Sequence, residues 1–412
     1  MKIKVLHIVG GPLKYGASKG ANILHKALLQ LNIQSKILND SPNDKSKDEK
    51  NSDKSVIFIN NTFFKKLINI IFLYLEKIIK LIYLNRPAET FTLGFFGFDI
   101  TNTKEYKEAD IIHLHWLNQG FISLSSLSKI NKPVIWTMRD MWVFTGGNHY
   151  SLGFENYESS YLSKLIQNFK KKNYNKNFQF VAVSNWLKNK AEKSAVLKKY
   201  NIKKIDNNID LKDFSLINKN TARLNLEIYT KKQIILYGAQ NPQSRRKGWD
   251  IFVESLKKLD RKKYFLLIFG NFWSEKILDI IGIEYKTLGY IDDKKLLNNV
   301  YCAADFFVAS SIEDAWPKTF AEAMYCGTPV ICFNNTSISE VVQHKSNGYI
   351  VENFDPIQLQ IGIDWVSEEI MKNNSMNSKA RAKILNFDAK VIAKKYIALY
   401  ESILNNNLNK KK

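Results

Sequence analysis

The sequence predicts an α/β protein built from two doubly wound, Rossmann-like domains that face each other across a cleft. Short strand-like runs alternate with helical patterns along both halves of the chain, and this alternation is typical of parallel sheets covered by helices. The 412 residues, 45% of them hydrophobic, can supply a core for each domain. Turn-forming residues near positions 205–213 separate the two series. Ligands of open α/β sheets bind at the carboxyl ends of the strands, so we expect a two-substrate enzyme.

The first domain is predicted over residues 1–205. A strand over Lys2–Val9 is followed by a glycine-containing loop and by a helix over Ala21–Leu31, where apolar residues recur at helical spacing. Further strands are expected in ADIIHLHW, KPVIWTM and FQFVAVS. The polar, charge-mixed run at 41–54 is predicted to be a loop.

Residues 61–86 combine lysines with many long apolar side chains. The pattern fits an amphipathic helix on a membrane surface, because lysine stems reach solvent while Phe and Ile enter the headgroup boundary. It fits equally well a helix packed on the domain's own core. No run in the chain reaches the ~18 apolar residues of a spanning helix, and the first apolar run is too short for a signal peptide. We therefore expect a cytoplasmic protein that can bind peripherally to the inner face of the membrane.

The second domain is predicted over residues 206–385. Its expected strands lie in KQIILYGA, YFLLIFG, DFFVASS and PVICF, and its expected helices in WDIFVESLKKL, LLNNVYCA and TFAEAMYCG. Gly327 should follow the end of the last of these helices, with Pro329 just beyond it. The C-terminal segment 386–412 contains a helix with widely spread apolar residues, and we expect it to cross back to the first domain.

The net charge of +22 comes from an excess of lysine. A solvated surface reflecting an AT-rich genome is the simpler interpretation. Of the specific alternatives, an anionic membrane surface ranks above nucleic acid, because Arg and aromatic residues are not interleaved in any cluster suited to base stacking. The three cysteines form no C-x-x-C pair, which predicts neither a disulfide framework nor a zinc site.

Two carboxylates lie close together in SSIEDAWPKTFAEAMYCGTPVIC. Asp314 precedes the predicted helix and Glu322 lies about one turn inside it. The backbone amides around Pro317, Lys318 and Thr319 would open the helix and form a terminus able to bind an anion or a hydroxyl group. Burying a Glu is costly unless its carboxylate is hydrogen-bonded, and sugar hydroxyls could supply those bonds. The alternative is a surface Glu on an ordinary helix.

This segment resembles the signature of retaining glycosyltransferases of family 4, which have the GT-B fold. The segments GASKGANILHKALLQLNIQSKIL, VIWTMRDMWVFTGGNHY, RRKGWDIFVESL and YCAADFFVASS agree with it in order. The resemblance covers nearly the whole chain and is closest to the bacterial branch that builds surface polysaccharides. It implies transfer of a sugar from a nucleotide sugar, most often a UDP- or GDP-sugar, to a saccharide or lipid-linked saccharide, with no further cofactor.

The resemblance also implies roles for residues of the second domain. Glu322 would accept hydrogen bonds from the donor's ribose, and Asp314 would hold the transferred sugar. Lys247, assisted by Arg246 or Arg245, would neutralise the leaving diphosphate, because positioned cations stabilise the charge that develops there. No Asp-x-Asp motif ends a strand, so we expect no metal. Taken alone, RRK would be an ordinary basic surface run.

Candidate residues also occur in the first domain. Gly16 resembles a position that approaches the donor and Gly11 one on the acceptor side, although a tight turn explains both equally well. His115, at the end of a strand, is expected on the acceptor side together with Asp140 and His149. A lone histidine is more often structural than catalytic.

The chain departs from the family at Arg139, which precedes Asp140 where the branch usually has His. Arg139 either stabilises the donor phosphate or signals altered or lost activity. Two other functions therefore stay open. A nucleotide-sugar epimerase on the same fold would need a base and no acceptor. A catalytically weakened family member could instead serve as a membrane-associated scaffold that binds no nucleotide diphosphate.

Overall fold

The computed structural model describes residues 3–41, 54–59, 63–82, 90–152, 157–372 and 375–409. The chain divides into two compact units, the first formed by Met1–Asn208 with Ala389–Lys412 and the second by Ile209–Asp388. Most of the loop predicted over 41–54 lies outside the described residues, as do both ends of the segment predicted over 61–86.

A seven-stranded sheet forms the centre of the first unit. Its strands are β1 (Lys4–Val9), β2 (Gln34–Asn39), β3 (Val56–Phe58), β4 (Ile111–Leu114), β5 (Val134–Met138), β6 (Phe178–Ala182) and β7 (Ile202–Lys204). They pair in the order β3-β2-β1-β4-β5-β6-β7, and every pair is parallel. The accompanying helices are α1 (Gly16–Gln30), α2 (Phe63–Ile82), α3 (Lys104–Glu108), α4 (Leu124–Leu127), α5 (Tyr161–Asn173) and α6 (Asn185–Lys193).

The second unit contains a six-stranded parallel sheet in the order β10-β9-β8-β11-β12-β13. Its strands are β8 (Gln233–Gly238), β9 (Tyr264–Phe269), β10 (Tyr285–Thr287), β11 (Phe306–Ala309), β12 (Val330–Phe333) and β13 (Gly348–Val351). Its helices are α7 (Lys219–Asn225), α8 (Trp249–Leu256), α9 (Lys276–Ile281), α10 (Lys294–Ala303), α11 (Lys318–Tyr325), α12 (Pro356–Lys372) and α13 (Ser375–Ile384). The predicted α/β class with two parallel sheets is confirmed.

The helix boundaries follow local chemistry. Helix α11 ends at Tyr325, and Gly327 beyond it has a φ of +79°, the left-handed conformation that the sequence predicts for a helix stop. Helix α1 begins at Gly16, earlier than the predicted Ala21. Its first turn, GASKG, contains two glycines of poor helix propensity, so the sequence pattern places the start too late.

The last helix, α14 (Ala389–Asn409), belongs to the first unit. Its buried Ile392, Tyr396 and Tyr400 join the apolar cluster that contains Leu24 and Leu28 of α1. No helix in the described ranges combines the length and the hydrophobicity needed to cross a membrane.

Candidate functional site

Two cations contact one carboxylate in the second unit. Lys247 Nζ lies 2.5 Å from Asp314 Oδ2, and Arg246 Nη1 lies 3.0 Å from the same oxygen. Arg246 also donates a hydrogen bond of 2.7 Å to the carbonyl oxygen of Glu313. The three charged side chains are only 12–15% exposed. The structure thus brings together residues that lie in the separate motifs RRKGW and SSIEDAW.

The backbone around Lys247 is fixed where two neighbouring strands, β8 and β11, end. The Lys247 carbonyl accepts hydrogen bonds from Tyr237 Oη at 3.0 Å and from Ser310 Oγ at 2.9 Å. Gly248 has a φ of +70°, and a Cβ there would lie 2.0 Å from the carbonyl oxygen of Ser310. Only glycine allows the two chain segments to approach this closely, and this approach holds Lys247 beside Asp314.

The two cations keep the Asp314 carboxyl group ionised. Burial alone would raise the pKa of Asp314, but Lys247 and Arg246 outweigh burial and hold that pKa below its ordinary value. Asp314 is therefore ionised, and the trio carries one net positive charge, which suits an anionic ligand. Arg245, which the sequence did not distinguish from Arg246, is exposed.

Glu322 lies on α11 and is only 3% exposed. The buried hydroxyl of Tyr301, on α10, donates a hydrogen bond of 2.8 Å to Glu322 Oε2. Burial and the neighbouring Glu322 raise the pKa of Tyr301 well above its usual range. The structure excludes the alternative of a surface Glu. The sequence predicts hydrogen bonds to Glu322 from sugar hydroxyls, whereas in the structure a hydroxyl of the protein itself, that of Tyr301, makes such a bond. Tyr301 lies in an ordinary apolar helix pattern and has no sequence signal for this role.

The loop before α11 is also ordered by Asp314, whose Oδ1 accepts a hydrogen bond of 3.2 Å from the Trp316 backbone N–H. Pro317 is the N-cap residue of α11 and, as a proline, has no N–H to donate. Pro317 itself therefore supplies no N–H to the predicted anion site, and any other contact of Pro317 with a donor stays a prediction. Lys318 and Thr319 provide the first two helix amides, and their contact with a donor stays a prediction.

The glycine loop of the first unit is tied to the end of β2. The Gly11 N–H donates a hydrogen bond of 2.7 Å to Asp40 Oδ1, and the Gly11 carbonyl accepts one of 2.9 Å from Asn39 Nδ2. Burial raises the pKa of Asp40 to about 6. Gly11 and Gly16 have φ values of +73° and +45°, so backbone conformation alone accounts for both glycines. Their proximity to substrate stays a prediction.

Asp140 and His149, both predicted on the acceptor side, contact each other. His149 Nδ1 lies 2.7 Å from Asp140 Oδ2, and His149 Nε2 lies 3.1 Å from Thr92 Oγ1. Asp140 Oδ1 accepts a hydrogen bond of 3.0 Å from the Trp142 backbone N–H. The pair therefore orders the segment that contains TGGNHY.

Lys170, which sequence analysis missed, lies beneath this segment. Its fully buried ammonium group donates hydrogen bonds to the carbonyl oxygens of Trp142 and Thr145 and lies 4.0 Å from the centroid of the Trp142 ring. Burial lowers the pKa of Lys170 well below its usual range, although the charge of Asp140 opposes this shift. A lysine inside KKKN gives no sequence signal for burial.

His115 and Arg139 belong to a buried cluster of the first unit. His115 Nε2 lies 2.9 Å from His7 Nδ1, and the rings of His113 and His115 stack with centroids 4.1 Å apart. Arg139 donates a hydrogen bond of 2.6 Å to Asn207 Oδ1, and mainly because of burial its own pKa falls to about 10. The predicted substrate contacts of His115 and Arg139 stay predictions.

The three histidines of this cluster have ligand atoms within 4.8 Å of one another, a spacing compatible with a metal ion. Burial, followed by nearby positive groups that include Arg139, lowers the pKa of each histidine well below its usual value. Both ring nitrogens of His113 are already hydrogen-bonded. Nδ1 lies 2.7 Å from the Tyr400 hydroxyl, and Nε2 lies 2.7 Å from the Thr137 hydroxyl. A bound cation would lie close to Arg139 at a high electrostatic cost, so we assign no metal to the cluster.

Residues 218–383, within the second unit, match the family described as "Glycosyl transferases group 1". An uncharacterised glycosyltransferase of Methanocaldococcus jannaschii is 23% identical over 299 residues, which are 69% of this chain and 72% of that protein. The N,N'-diacetylbacillosaminyl-diphospho-undecaprenol alpha-1,3-N-acetylgalactosaminyltransferase of Campylobacter jejuni is 22% identical over 176 residues, 43% of this chain and 46% of its own length.

The crystal structure of HepE from Anabaena, in complex with UDP and glucose, is similar with a TM-score of 0.65 and 16% identity. The match covers 97% of this chain and 100% of that one, and it supports the predicted GT-B fold over nearly the whole length. The crystal structure of a glycosyltransferase from Rickettsia africae is similar with a TM-score of 0.68 and 19% identity, over 98% of this chain and 99% of that one. The chain therefore has the fold of a glycosyltransferase, and over residues 218–383 it also matches the group 1 glycosyltransferases in sequence.

Proposed function

We propose that the protein is a retaining family 4 glycosyltransferase that moves a hexose-type sugar from a UDP- or GDP-sugar to a saccharide or lipid-linked saccharide. The pathway we propose is the synthesis of a bacterial surface polysaccharide such as a capsule, O-antigen or exopolysaccharide. The observation that carries the proposal is the buried cluster of Lys247, Arg246 and Asp314. It lies within the segment that matches the family.

In this proposal the cluster stabilises the departing nucleoside diphosphate. The leaving group gains negative charge as the glycosidic bond to the diphosphate breaks, and preorganised cations in a water-poor site stabilise that charge most effectively. Lys247 and Arg246 would supply the cations. Asp314 would position them and contact the transferred sugar, while Glu322, oriented by Tyr301, would accept hydrogen bonds from the ribose.

The proposed acceptor follows from the relatives and from charge. The name of the Campylobacter jejuni relative contains a diphospho-undecaprenol, a lipid-linked diphosphate. The net charge of +22 would favour binding to the anionic inner face of the cytoplasmic membrane. We therefore propose that the acceptor is carried on a membrane lipid and that the enzyme works at that surface.

A product analysis tests the proposal. The protein is incubated with UDP- and GDP-sugars, with and without saccharides that carry a lipid tail, and the products are followed by NMR. We expect release of the nucleoside diphosphate and a product with the anomeric configuration of the donor. An inverted product would contradict retention. If, without an acceptor, the donor were converted to a nucleotide sugar in which one stereocentre of the sugar is inverted, the protein would be an epimerase instead.

A further inference from the structure

Helix α2 exposes a continuous apolar stripe. Five large side chains on one helical face are 44–61% exposed, namely Leu67, Ile70, Ile71, Tyr74 and Ile78. Their spacing of three or four residues places them on the same side of the helix. Lys77 extends from the same region, with its ammonium group 5.5 Å from the Tyr74 ring centroid. A contiguous apolar surface of this kind usually marks an interaction site.

The opposite side of α2 is attached to the first unit. The Phe72 ring contacts those of Phe96 and Phe98, with centroids 6.3 and 5.6 Å away. The buried carboxylate of Glu76 accepts a hydrogen bond of 3.0 Å from the Gly94 backbone N–H. Helix α2 thus has a specific orientation on the unit, and the stripe faces outward because the inner face is already packed. The sequence interpretation of a helix packed on the domain is therefore confirmed for the inner face of α2, and the membrane interpretation stays a prediction for the outer face.

Helix α5 packs against the same apolar cluster as α2. Ile79 of α2 and Leu162 of α5 pack against one apolar cluster that contains Ile166. Helix α5 exposes Tyr161 and Leu165. It also exposes three lysines, Lys164, Lys171 and Lys172. We call the apolar stripe of α2 together with these exposed residues of α5 and Lys77 the α2–α5 face.

The charge of this face is of one sign. The exposed charged residues that define this face are four lysines, Lys77, Lys164, Lys171 and Lys172. The single acidic residue in the sequences of α2 and α5, Glu76, is buried. A symmetric contact with a second copy would place these lysines opposite one another, and like charges across an interface are repulsive. An apolar stripe bordered by lysines instead matches a surface with an apolar interior and anionic headgroups.

We propose that the α2–α5 face is the surface through which the protein binds anionic lipid bilayers. Leu67, Ile70, Ile71, Tyr74 and Ile78 enter the headgroup boundary, and the exposed lysines contact lipid phosphates. The inference rests on the proposed function for the location of the acceptor and adds the surface by which the enzyme reaches it. The face belongs to the first unit and contains none of the residues assigned to donor binding.

Flotation with vesicles tests the apolar part of the face. The full chain is mixed with vesicles of phosphatidylcholine alone or with phosphatidylglycerol. The test variant is Ile70→Gln, Ile71→Gln, Tyr74→Gln, in which glutamine preserves helix propensity. The matched control removes three exposed apolar side chains of the second unit, Leu224→Gln, Tyr229→Gln and Ile280→Gln. We expect the test variant to lose more than about tenfold in affinity for the anionic vesicles, and the control to bind as the original chain does.

The lysines are tested in the same assay. The variant Lys77→Glu, Lys164→Glu, Lys171→Glu should lose binding to phosphatidylglycerol vesicles, whereas Lys258→Glu, Lys262→Glu, Lys379→Glu, with the same change in net charge, should retain most of it. Equal binding by all variants would overturn the proposal. The proposal would also be overturned if the original chain bound no lipid but formed a dimer in light scattering, and if the Ile70→Gln, Ile71→Gln, Tyr74→Gln variant were a monomer.

Circular dichroism and the thermal midpoint verify folding of each variant. Membrane binding and donor cleavage can be tested separately. The variants of the α2–α5 face should still release nucleoside diphosphate from a water-soluble donor. Conversely, Lys247→Ala should float with vesicles as the original chain does. Loss of vesicle binding in Lys247→Ala would contradict the assignment of the surface to α2 and α5.

Discussion

The Tyr301 hydroxyl donates a 2.8 Å hydrogen bond to Glu322 Oε2 in the interior of the second unit. We expect Tyr301→Phe to destabilise this unit by about 1.5–3 kcal/mol, because it removes a hydrogen bond from a buried charged group. Urea unfolding measures the loss. The matched control is Tyr285→Phe, whose hydroxyl donates to exposed Asp279 and whose removal should cost less than about 1 kcal/mol. Equal losses in both variants would show that Glu322 does not depend on Tyr301.

Lys247 and Arg245 should differ strongly in their contribution to catalysis. Lys247 contacts Asp314 in a largely buried cluster, whereas Arg245 is exposed. We expect Lys247→Ala to lower kcat by about 10²–10³ and Arg245→Ala to have a small effect. Steady-state release of nucleoside diphosphate measures both variants. If Arg245→Ala lowered kcat as much as Lys247→Ala, Arg245 would also be needed to stabilise the leaving diphosphate, contrary to the assignment of that role to Lys247 and Arg246.

Gly248 should not tolerate a side chain. Its φ is +70°, and a Cβ would lie 2.0 Å from the Ser310 carbonyl oxygen, so Gly248→Ala has to move the backbone that carries Lys247. We expect a loss of stability above about 2 kcal/mol together with lower activity. Gly289→Ala is the control, because Gly289 has a φ of +63° with no atom within 4 Å of the added Cβ, and it should cost only about 1–2 kcal/mol. Thermal unfolding and activity are measured for both.

Acidification should destabilise the first unit through His7, His113 and His115. Burial is the main cause that lowers the pKa of each of them well below the ordinary value of 6.5. Below about pH 6.5 the unfolded chain therefore binds more protons than the folded one, and stability falls as the pH falls. Each histidine contributes up to about 1.4 kcal/mol per pH unit until the pH reaches its folded pKa.

Asp40 acts in the opposite direction. Burial raises its pKa to about 6, so below that pH the folded chain takes up a proton that the unfolded chain does not, which offsets roughly one histidine. Urea unfolding between about pH 7.5 and 5.5 measures the net slope. His115→Gln should reduce the slope by about one proton, whereas His344→Gln, in the second unit, should leave the slope for the first unit unchanged. A stability independent of pH over this range would contradict the burial of the three histidines.

The sequence was sufficient for features with local signals. The buried strands are continuous apolar runs, and Gly327 marks a helix end by its conformational freedom. Long-range partners leave no such signal. Tyr301 and Glu322 are 21 positions apart on different helices, and the aliphatic stem of Lys170 gives no hint that its ammonium group would be buried against Trp142. For α2, the pattern showed two faces without showing which one packs on the protein.

Calorimetric titration with UDP and GDP tests most directly whether the cluster of Lys247, Arg246 and Asp314 binds the donor. The original chain is compared with Lys247→Ala and with Lys258→Ala, a surface-lysine control. We expect the original chain and the control to bind one of these nucleotides with similar affinity. We expect Lys247→Ala to bind it at least about tenfold more weakly, because it loses a charge-assisted contact to phosphate. Absence of binding to both nucleotides, or undiminished binding by Lys247→Ala, would show that this cluster does not hold the diphosphate of the donor.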